Sequence, residues 1–323
     1  MTARRVAVVG CGAISGNHLR ALGDAVCALC DTDREKAAQR AAEFSLQVPI
    51  YTDYAAMLDG EKPTSVHICT PHYLHAEMVM AALERGIHVL CEKPLAITEE
   101  QLDAVLEAEK RSAAKLGVCL QNRYEPSFLR LRDYAAHGIV GAAGTVIWNR
   151  DAAYYASGTW RGRWATEGGG VMINQALHTL DLLQWLCGMP KFVTAHCFND
   201  THTGIIEVED TASAVFETEN GRFNFFATTA CGASFPAQIS LRTAQKETLL
   251  ATGRTFVCNG RAEDCGSAAV GKAVWGSGHE RLIAHFYDCL QRGEAFPIDG
   301  QEAAKVVRLV LAMYRSKGRR IAI

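Results

Sequence analysis

Short apolar runs alternate with amphipathic stretches through the first third of the chain. RVAVVG (5–10), AVCALCD (25–31), SVHICT (65–70), IHVLCE (87–92) and GVCLQN (117–122) read as strands. The stretch from Ile14, DREKAAQRAAEF (33–44), HAEMVMAALERG (75–86) and TEEQLDAVLEAEKRSAAKLG (98–117) read as helices, the last with Thr98 as N-cap and Gly117 as its stop. Strands alternating with helices predict a parallel sheet covered on both faces. The unbroken apolar character of the strands fits burial on both sides.

From about residue 145 the pattern changes. TVIWNRDAAYY (145–155), ASAVFETENGRFNFFATTA (212–230), AQISLRTAQKETLLAT (237–252) and RTFVCNG (254–260) are strand-like, with no long helix between them. Asn220-Gly221 reads as a two-residue hairpin turn. These strands are expected to be antiparallel. No internal repeat or low-complexity linker interrupts the chain, and the boundary falls near Gln121-Asn122. The expected architecture is an α/β domain with a parallel sheet over 1–122, followed by an α+β domain over 123–323.

One helix is unlike the others. GGGVMINQALHTLDLLQWLCG (168–188) opens on three glycines and is otherwise nearly all apolar. At about 100° per residue, Asn174, His178, Asp181 and Trp185 share one narrow stripe of a helix over 171–187. Apolar residues occupy most of the remaining circumference, as in a buried helix. Buried polar groups need partners, so the stripe reads as a site wall, with an internal hydrogen bond expected from Asp181. The glycines are expected to let the backbone turn close beside a ligand.

Composition narrows the classes. The chain has 323 residues, 49 % of them hydrophobic and 21 % charged, with a net charge of −2. That length can bury two cores, and that charge gives no electrostatic case for nucleic acid or an anionic membrane. No stretch approaches the roughly 18 apolar residues of a membrane span, and the N-terminus lacks a signal-peptide core. A cytoplasmic protein is expected. Twelve cysteines are present. Most sit in apolar runs, such as Cys69, Cys91, Cys119 and Cys289, and read as buried thiols. Cys27 and Cys30 form a CxxC inside a strand, where residues three apart face opposite sides. His72 and His75 lack further ligands nearby, so no metal is expected.

The chemistry-bearing residues gather at strand ends. Gly10-x-Gly12-x-x-Ser15 lies between the first strand and first helix. One glycine permits the tight turn, another lets backbone approach a pyrophosphate, and the helix N-terminus offers free N–H groups. Asp31 ends the next strand, where an acid binds the ribose hydroxyls of NAD. It disfavours the extra phosphate of NADP, although Arg34 leaves NADP open. Thr70 and Pro71, with His75 following, end the fourth strand region, and Glu92-Lys93-Pro94 ends the fifth. Ligands of open α/β sheets bind beyond the carboxyl ends of strands, so Lys93 stands where chemistry occurs. Pro94 keeps Lys93 out of the helical region. The cofactor set is then Gly10, Gly12, Ala13, Ile14, Asp31, Thr70, Pro71, His75, Glu92, Lys93 and Asn122. Tyr154, Tyr155, Trp160, Arg161, Arg163 and Trp164 cluster just before the glycines and suit a polyhydroxylated ring.

VVGCGAISGNH, CTPHYLHAE, CEKPLA and GGGVMINQALHTLDLLQWL, in that order, resemble the Gfo/Idh/MocA oxidoreductases, as does the C-terminal run from Gly278. The resemblance covers essentially the whole chain. It implies a nicotinamide-dependent dehydrogenase or reductase acting on a sugar, cyclitol or related polyol. It also implies a Rossmann domain, then a large open, mainly antiparallel sheet that mediates homodimers or homotetramers. Lys93 matches the family's catalytic lysine and His178 its catalytic histidine. The substrate set becomes Lys93, Tyr154, Tyr155, Trp160, Arg161, Trp164, Asn174 and His178. Many members carry Asp four residues before the histidine, where this chain has Asn174. Two other readings share the scaffold: a redox-assisted glycosidase or lyase that recycles its NAD, and a non-catalytic ligand sensor.

Overall fold

In the computed structural model, which describes residues 4–266 and 277–323, the alternating apolar runs pair as parallel strands. The elements of the first third are β1 (Val6–Val9), α1 (Ser15–Leu22), β2 (Val26–Cys30), α2 (Arg34–Glu43), β3 (Ile50–Tyr51), α3 (Tyr54–Glu61), β4 (Ser65–Ile68), α4 (His75–Glu84), β5 (His88–Cys91), α5 (Glu99–Arg111) and β6 (Leu116–Val118). The strands line up in the order β3-β2-β1-β4-β5-β6, all parallel. The order reverses between β1 and β4, the switch point of a doubly wound sheet. All four residues of β1 are buried, as a strand covered on both faces requires.

The helix expected over 98–117 begins as read, with the Thr98 hydroxyl accepting from the Gln101 N–H. It stops earlier, at Arg111. Gly117 lies instead in β6, where an added Cβ would meet the Phe286 ring at 2.9 Å. That glycine makes room for packing and does not terminate a helix.

The first unit runs to Leu120 and also takes in His279–Ala304. The two-block division assigned that returning segment to the second domain. It joins the first because α9 (Gly278–Arg292) buries Leu282, Ile283 and Phe286, and because the Val118 N–H donates to the Ile298 carbonyl at 2.9 Å.

The second unit comprises Gln121–Gly278 and Lys305–Ile323. Its helices are α6 (Pro126–Asp133), α7 (Ala152–Ala156), α8 (Leu177–Cys187) and the greater part of α10 (Gly300–Ser316). Its strands are β7 (Ile139–Ile147), β8 (Phe192–Phe198), β9 (Thr211–Glu217), β10 (Arg222–Thr228), β11 (Gln238–Thr243), β12 (Thr248–Ala251), β13 (Thr255–Cys258), β14 (Arg261–Asp264) and β15 (Ile321–Ala322). They form one nine-stranded sheet, β14-β13-β12-β11-β7-β10-β9-β8-β15. Every pairing is antiparallel except β7 with β10. α8 packs on one face, close enough that a Cβ on Gly144 would meet Thr179 at 2.7 Å.

The β9–β10 hairpin turns one residue earlier than Asn220-Gly221 suggests. Thr218 and Gly221 close it, leaving Glu219 and Asn220 at its centre. Gly221 is required for another reason: its Cβ would lie 2.4 Å from the Val140 carbonyl of the neighbouring strand. Cys69, Cys91, Cys119 and Cys289 are all buried, and burial pushes each thiol up. Among the described residues, no helix is long and apolar enough to cross a membrane.

Candidate active site

In the first unit the glycine loop is set by contact with the sheet. Gly10 has φ +85°, and an added Cβ would lie 2.6 Å from the Cys69 carbonyl and 2.7 Å from the Thr70 nitrogen. Only glycine takes this conformation at that distance. Gly12 has open space where its Cβ would be, and Ala13 is exposed and Ile14 half-buried beside it. No side chain caps α1, and no acid occupies its first turn. Its first N–H groups are thus available to an anion. The Asp31 carboxylate accepts from the Cys11 N–H at 2.8 Å and from the Asp33 N–H at 3.0 Å. Lys36 approaches it at 3.5 Å, while Arg34 turns to the Ile50 carbonyl. These residues fit a dinucleotide with free ribose hydroxyls: an open glycine, uncapped N–H groups and an acid tied to the same loop.

The loop leads by direct contact to Lys93. Gly10 abuts Thr70. His75 sets Nε2 against the Thr70 carbonyl at 2.8 Å and Nδ1 against the Pro94 carbonyl at 2.7 Å. Expected beside the cofactor, His75 is fully buried and clasps the two loops that follow β4 and β5. Thr70, Pro71 and Lys93 are half-buried, and the Lys93-Pro94 bond is cis.

Glu92 is buried, and its carboxylate faces inward. Oε1 takes the Nε2 atoms of His18 and His279, each at 3.0 Å, and Oε2 accepts from the Lys93 N–H at 3.3 Å. The network continues from His18 Nδ1 to His67 Nδ1 at 2.8 Å, and from His67 Nε2 to the Tyr287 hydroxyl at 2.9 Å. That hydroxyl also meets Ser65 at 2.9 Å, and Asn17 lies 3.5 Å from His279 Nδ1.

One proton assignment satisfies every link. Glu92 is ionised, and His18 and His279 donate from Nε2. His67 donates to His18, Tyr287 to His67, Ser65 to Tyr287, and Asn17 to His279. Burial alone would raise Glu92, but the bonds from His18 and His279 outweigh it and hold the carboxyl well below its usual range. Burial lowers both His18 and His67, so their rings are neutral. The His18, Glu92 and His279 ligand atoms lie within 4.8 Å of one another, a grouping able to hold a metal ion, and hydrogen bonds within the chain already satisfy them. Sequence spacing gave no sign of this cluster, because its members are scattered from residue 17 to residue 287.

In the second unit the helix expected over 171–187 begins only at Leu177. The preceding N–H groups are taken elsewhere. Val171 donates to the Glu209 carbonyl, and Gly170 and Met172 donate to the buried Glu209 carboxylate. The glycine run answers to the same neighbours: a Cβ would lie 1.8 Å from the Tyr314 hydroxyl at Gly169, and 1.9 Å from the Glu209 carbonyl at Gly170.

The expected stripe is therefore divided. Asn174 lies in a turn, where its amide donates to Glu167 and, at 3.3 Å, to the Tyr154 hydroxyl. His178 sits half-buried in the first turn of α8, with Nε2 3.1 Å from the Gln121 amide nitrogen. Asp181 is fully buried and takes both arms of Arg123, one at 2.8 Å, together with Gln184. Trp185 stacks with Arg123 and Arg132.

The aromatic cluster also separates. Tyr154, Trp160 and Arg161 stay together, with the Arg161 guanidinium 4.9 Å from the Tyr154 ring centre and 4.7 Å from that of Trp160. Tyr155 enters a small core with Ile206 and Val208, its hydroxyl on Thr229. Trp164 turns to a separate cleft of about 550 Å³ with His196, Cys197, Tyr314 and Lys317, and Arg163 pairs with Glu207. Asn122 falls in the second unit, in a short turn over Gln121–Tyr124.

Glu209 carries a pH signature. Burial pushes its carboxyl from 4.5 up to about 7, against the hydrogen bonds from Met172, Tyr314 and Gly170 that lower it. Between those values the folded chain keeps a proton that the unfolded chain has released. Its contribution to stability therefore falls as pH rises from 4.5 and levels off above about 7, by about 3 kcal/mol at most. Urea denaturation of the wild type from pH 5 to pH 8 should show this loss, and Glu209→Gln should flatten the slope. Parallel curves would refute it.

Comparison with known proteins gives the family. Residues 4–120 match the GFO/IDH/MocA oxidoreductase family model with its NAD-binding Rossmann fold, and residues 128–242 match the GFO/IDH/MocA C-terminal domain. Inositol 2-dehydrogenase 2 of Saccharopolyspora erythraea is 31 % identical over 67 % of this chain and 63 % of its own length. D-apiose dehydrogenase of Paraburkholderia graminis is 27 % identical over 96 % of this chain and 86 % of its own. The WlbA dehydrogenase of Bordetella pertussis, solved with NADH and UDP-GlcNAcA, superposes with a TM-score of 0.87 at 26 % identity, over 100 % of this chain and 99 % of that one. This chain belongs to the GFO/IDH/MocA oxidoreductase family, and its first unit is an NAD-binding Rossmann domain.

Proposed function

We propose that this chain is an NAD-dependent dehydrogenase that interconverts a secondary hydroxyl and a ketone on a sugar, cyclitol or related polyol. One observation carries the reading. A half-buried lysine follows β5, and unbroken contacts from Gly10 through Thr70, His75 and Pro94 tie it to the glycine loop. The relatives named above act on inositol and apiose, which supports a polyhydroxylated substrate.

Gly10, Gly12, Ala13, Ile14 and Asp31 would hold the dinucleotide, with Thr70, Pro71 and Lys93 along its nicotinamide half. Bound NAD supplies the acceptor for the hydride that leaves the carbinol carbon. Lys93 donates a hydrogen bond to the substrate oxygen and stabilises the negative charge that develops there. His178 takes the hydroxyl proton. Asn174 positions through hydrogen bonds and adds no charge of its own.

Sugars, amino sugars, nucleotide sugars and inositols, each offered with NAD and with NADP, test this by the absorbance of reduced cofactor. We expect turnover with at least one class, and NAD preferred because Asp31 repels a ribose phosphate. Substrate cleavage without net NADH would favour the redox-assisted glycosidase or lyase. Cofactor binding with no turnover on any polyol would favour a sensor.

We also propose that the chain forms a homo-oligomer through the outer face of the nine-stranded sheet. Phe198, Val215 and Phe226 stand on that face 40–44 % exposed, an apolar surface of the kind that marks an interface. Light scattering should give a dimer or tetramer, and Phe226→Lys should dissociate it. A monomeric wild type would end this proposal.

A further inference from the structure

The second unit contains a ladder of alternating rings and cations. Arg150 lies 5.4 Å from the Trp148 ring centre and 4.9 Å from that of Tyr154. Arg161 lies 4.9 Å from the same Tyr154 centre and 4.7 Å from that of Trp160. Beyond the stacking, Arg150 donates from Nη1 to the Asn149 carbonyl at 2.7 Å, which leaves both guanidinium charges without a carboxylate partner. No described acid forms an ion pair with either arginine, although Arg163 beside them has Glu207. The Nε atoms of both Arg150 and Arg161 are buried without a hydrogen-bond partner. Two half-buried cations without an ion-pair partner are costly to maintain, and guanidinium stacked on a ring keeps its N–H groups at its edges, where they can meet an anion. The rung they share is anchored toward His178: the Tyr154 hydroxyl accepts from Asn174 at 3.3 Å and from Gln175 at 3.0 Å, in the turn that leads into α8.

We propose that Arg150 and Arg161 bind an anionic substituent of the substrate, so that the sugar this chain oxidises carries a carboxylate or a phosphate. Its turnover arm rests on the dehydrogenase reading, and its binding arm does not. Losing a hydrogen bond to a charged group weakens binding roughly 10- to 100-fold. With NAD saturating, kcat/KM is compared for D-glucuronate, D-glucose 6-phosphate and D-glucose. The wild type should favour at least one charged sugar over glucose by about 30-fold or more. Arg150→Gln and Arg161→Gln should each lower that ratio about tenfold. The favoured sugar identifies the anion as carboxylate or phosphate. A wild-type ratio near one, or a ratio unchanged in both variants, overturns the proposal.

If none of the three is oxidised, the dehydrogenase reading stands or falls by the wider polyol panel, and calorimetric titration of the NAD-saturated protein with the same sugars decides the subsite. Binding of a charged sugar that either substitution weakens about tenfold sustains the subsite. Equal affinity for charged and neutral sugars, no binding of either charged sugar, or no effect of both substitutions overturns it.

Discussion

Lys93→Ala is expected to lower turnover about 10³-fold while NAD still binds, and His178→Ala to do the same. Lys93 brings an ammonium to the loop after β5 beside Pro94, and alanine there leaves the developing alkoxide without its donor. His178→Ala removes the proton acceptor and leaves the dinucleotide cradle of the first unit intact. Chemical rescue separates the roles. Added imidazole should restore part of the rate to His178→Ala, and a small primary amine part of the rate to Lys93→Ala. Near-normal turnover in both variants on the true substrate would show that the catalytic assignment is wrong.

Glu92→Leu should cost about 3–5 kcal/mol of stability, because it strands three donors in a dry interior. His18, His279 and the Lys93 N–H all end on this one carboxylate. Leucine fills a similar volume but accepts nothing, so the proton order that runs out to His67 and Tyr287 loses its terminus. The thermal midpoint should drop by roughly 10 °C. A midpoint within 1 or 2 °C of wild type, about what a surface substitution gives, would mean that the network is not held by Glu92.

The parallel sheet was legible because its strands are short, apolar and separated by capped helices, so local pattern and tertiary burial agree. The return of α9 to the first unit was not legible. Leu282 and Phe286 declare an apolar face but not which sheet it meets. Three glycine readings moved for one reason. Gly117, Gly169 and Gly170 make room for Phe286, Tyr314 and Glu209, all distant in sequence, whereas the sequence context suggested a helix stop and a ligand turn. The α8 stripe failed in the same way, since Glu209 captures the N–H groups that a helix from 171 would have used. Lys93 and His178 stand out as candidates because Glu92-Lys93-Pro94 ends a strand and His178 is a polar residue in a nearly all-apolar stretch. The histidine network around Glu92 does not, because buried hydrogen-bond partners follow no sequence period.

The central claim is that hydrogen leaves a carbinol carbon of a polyol for NAD. A substrate found by the polyol panel, labelled with deuterium at that carbon, tests it most directly. Mass spectrometry of the cofactor after a single turnover should show one deuterium on the reduced nicotinamide, and Lys93→Ala and His178→Ala should slow its appearance together. Substrate consumed while the cofactor stays unlabelled would contradict the account.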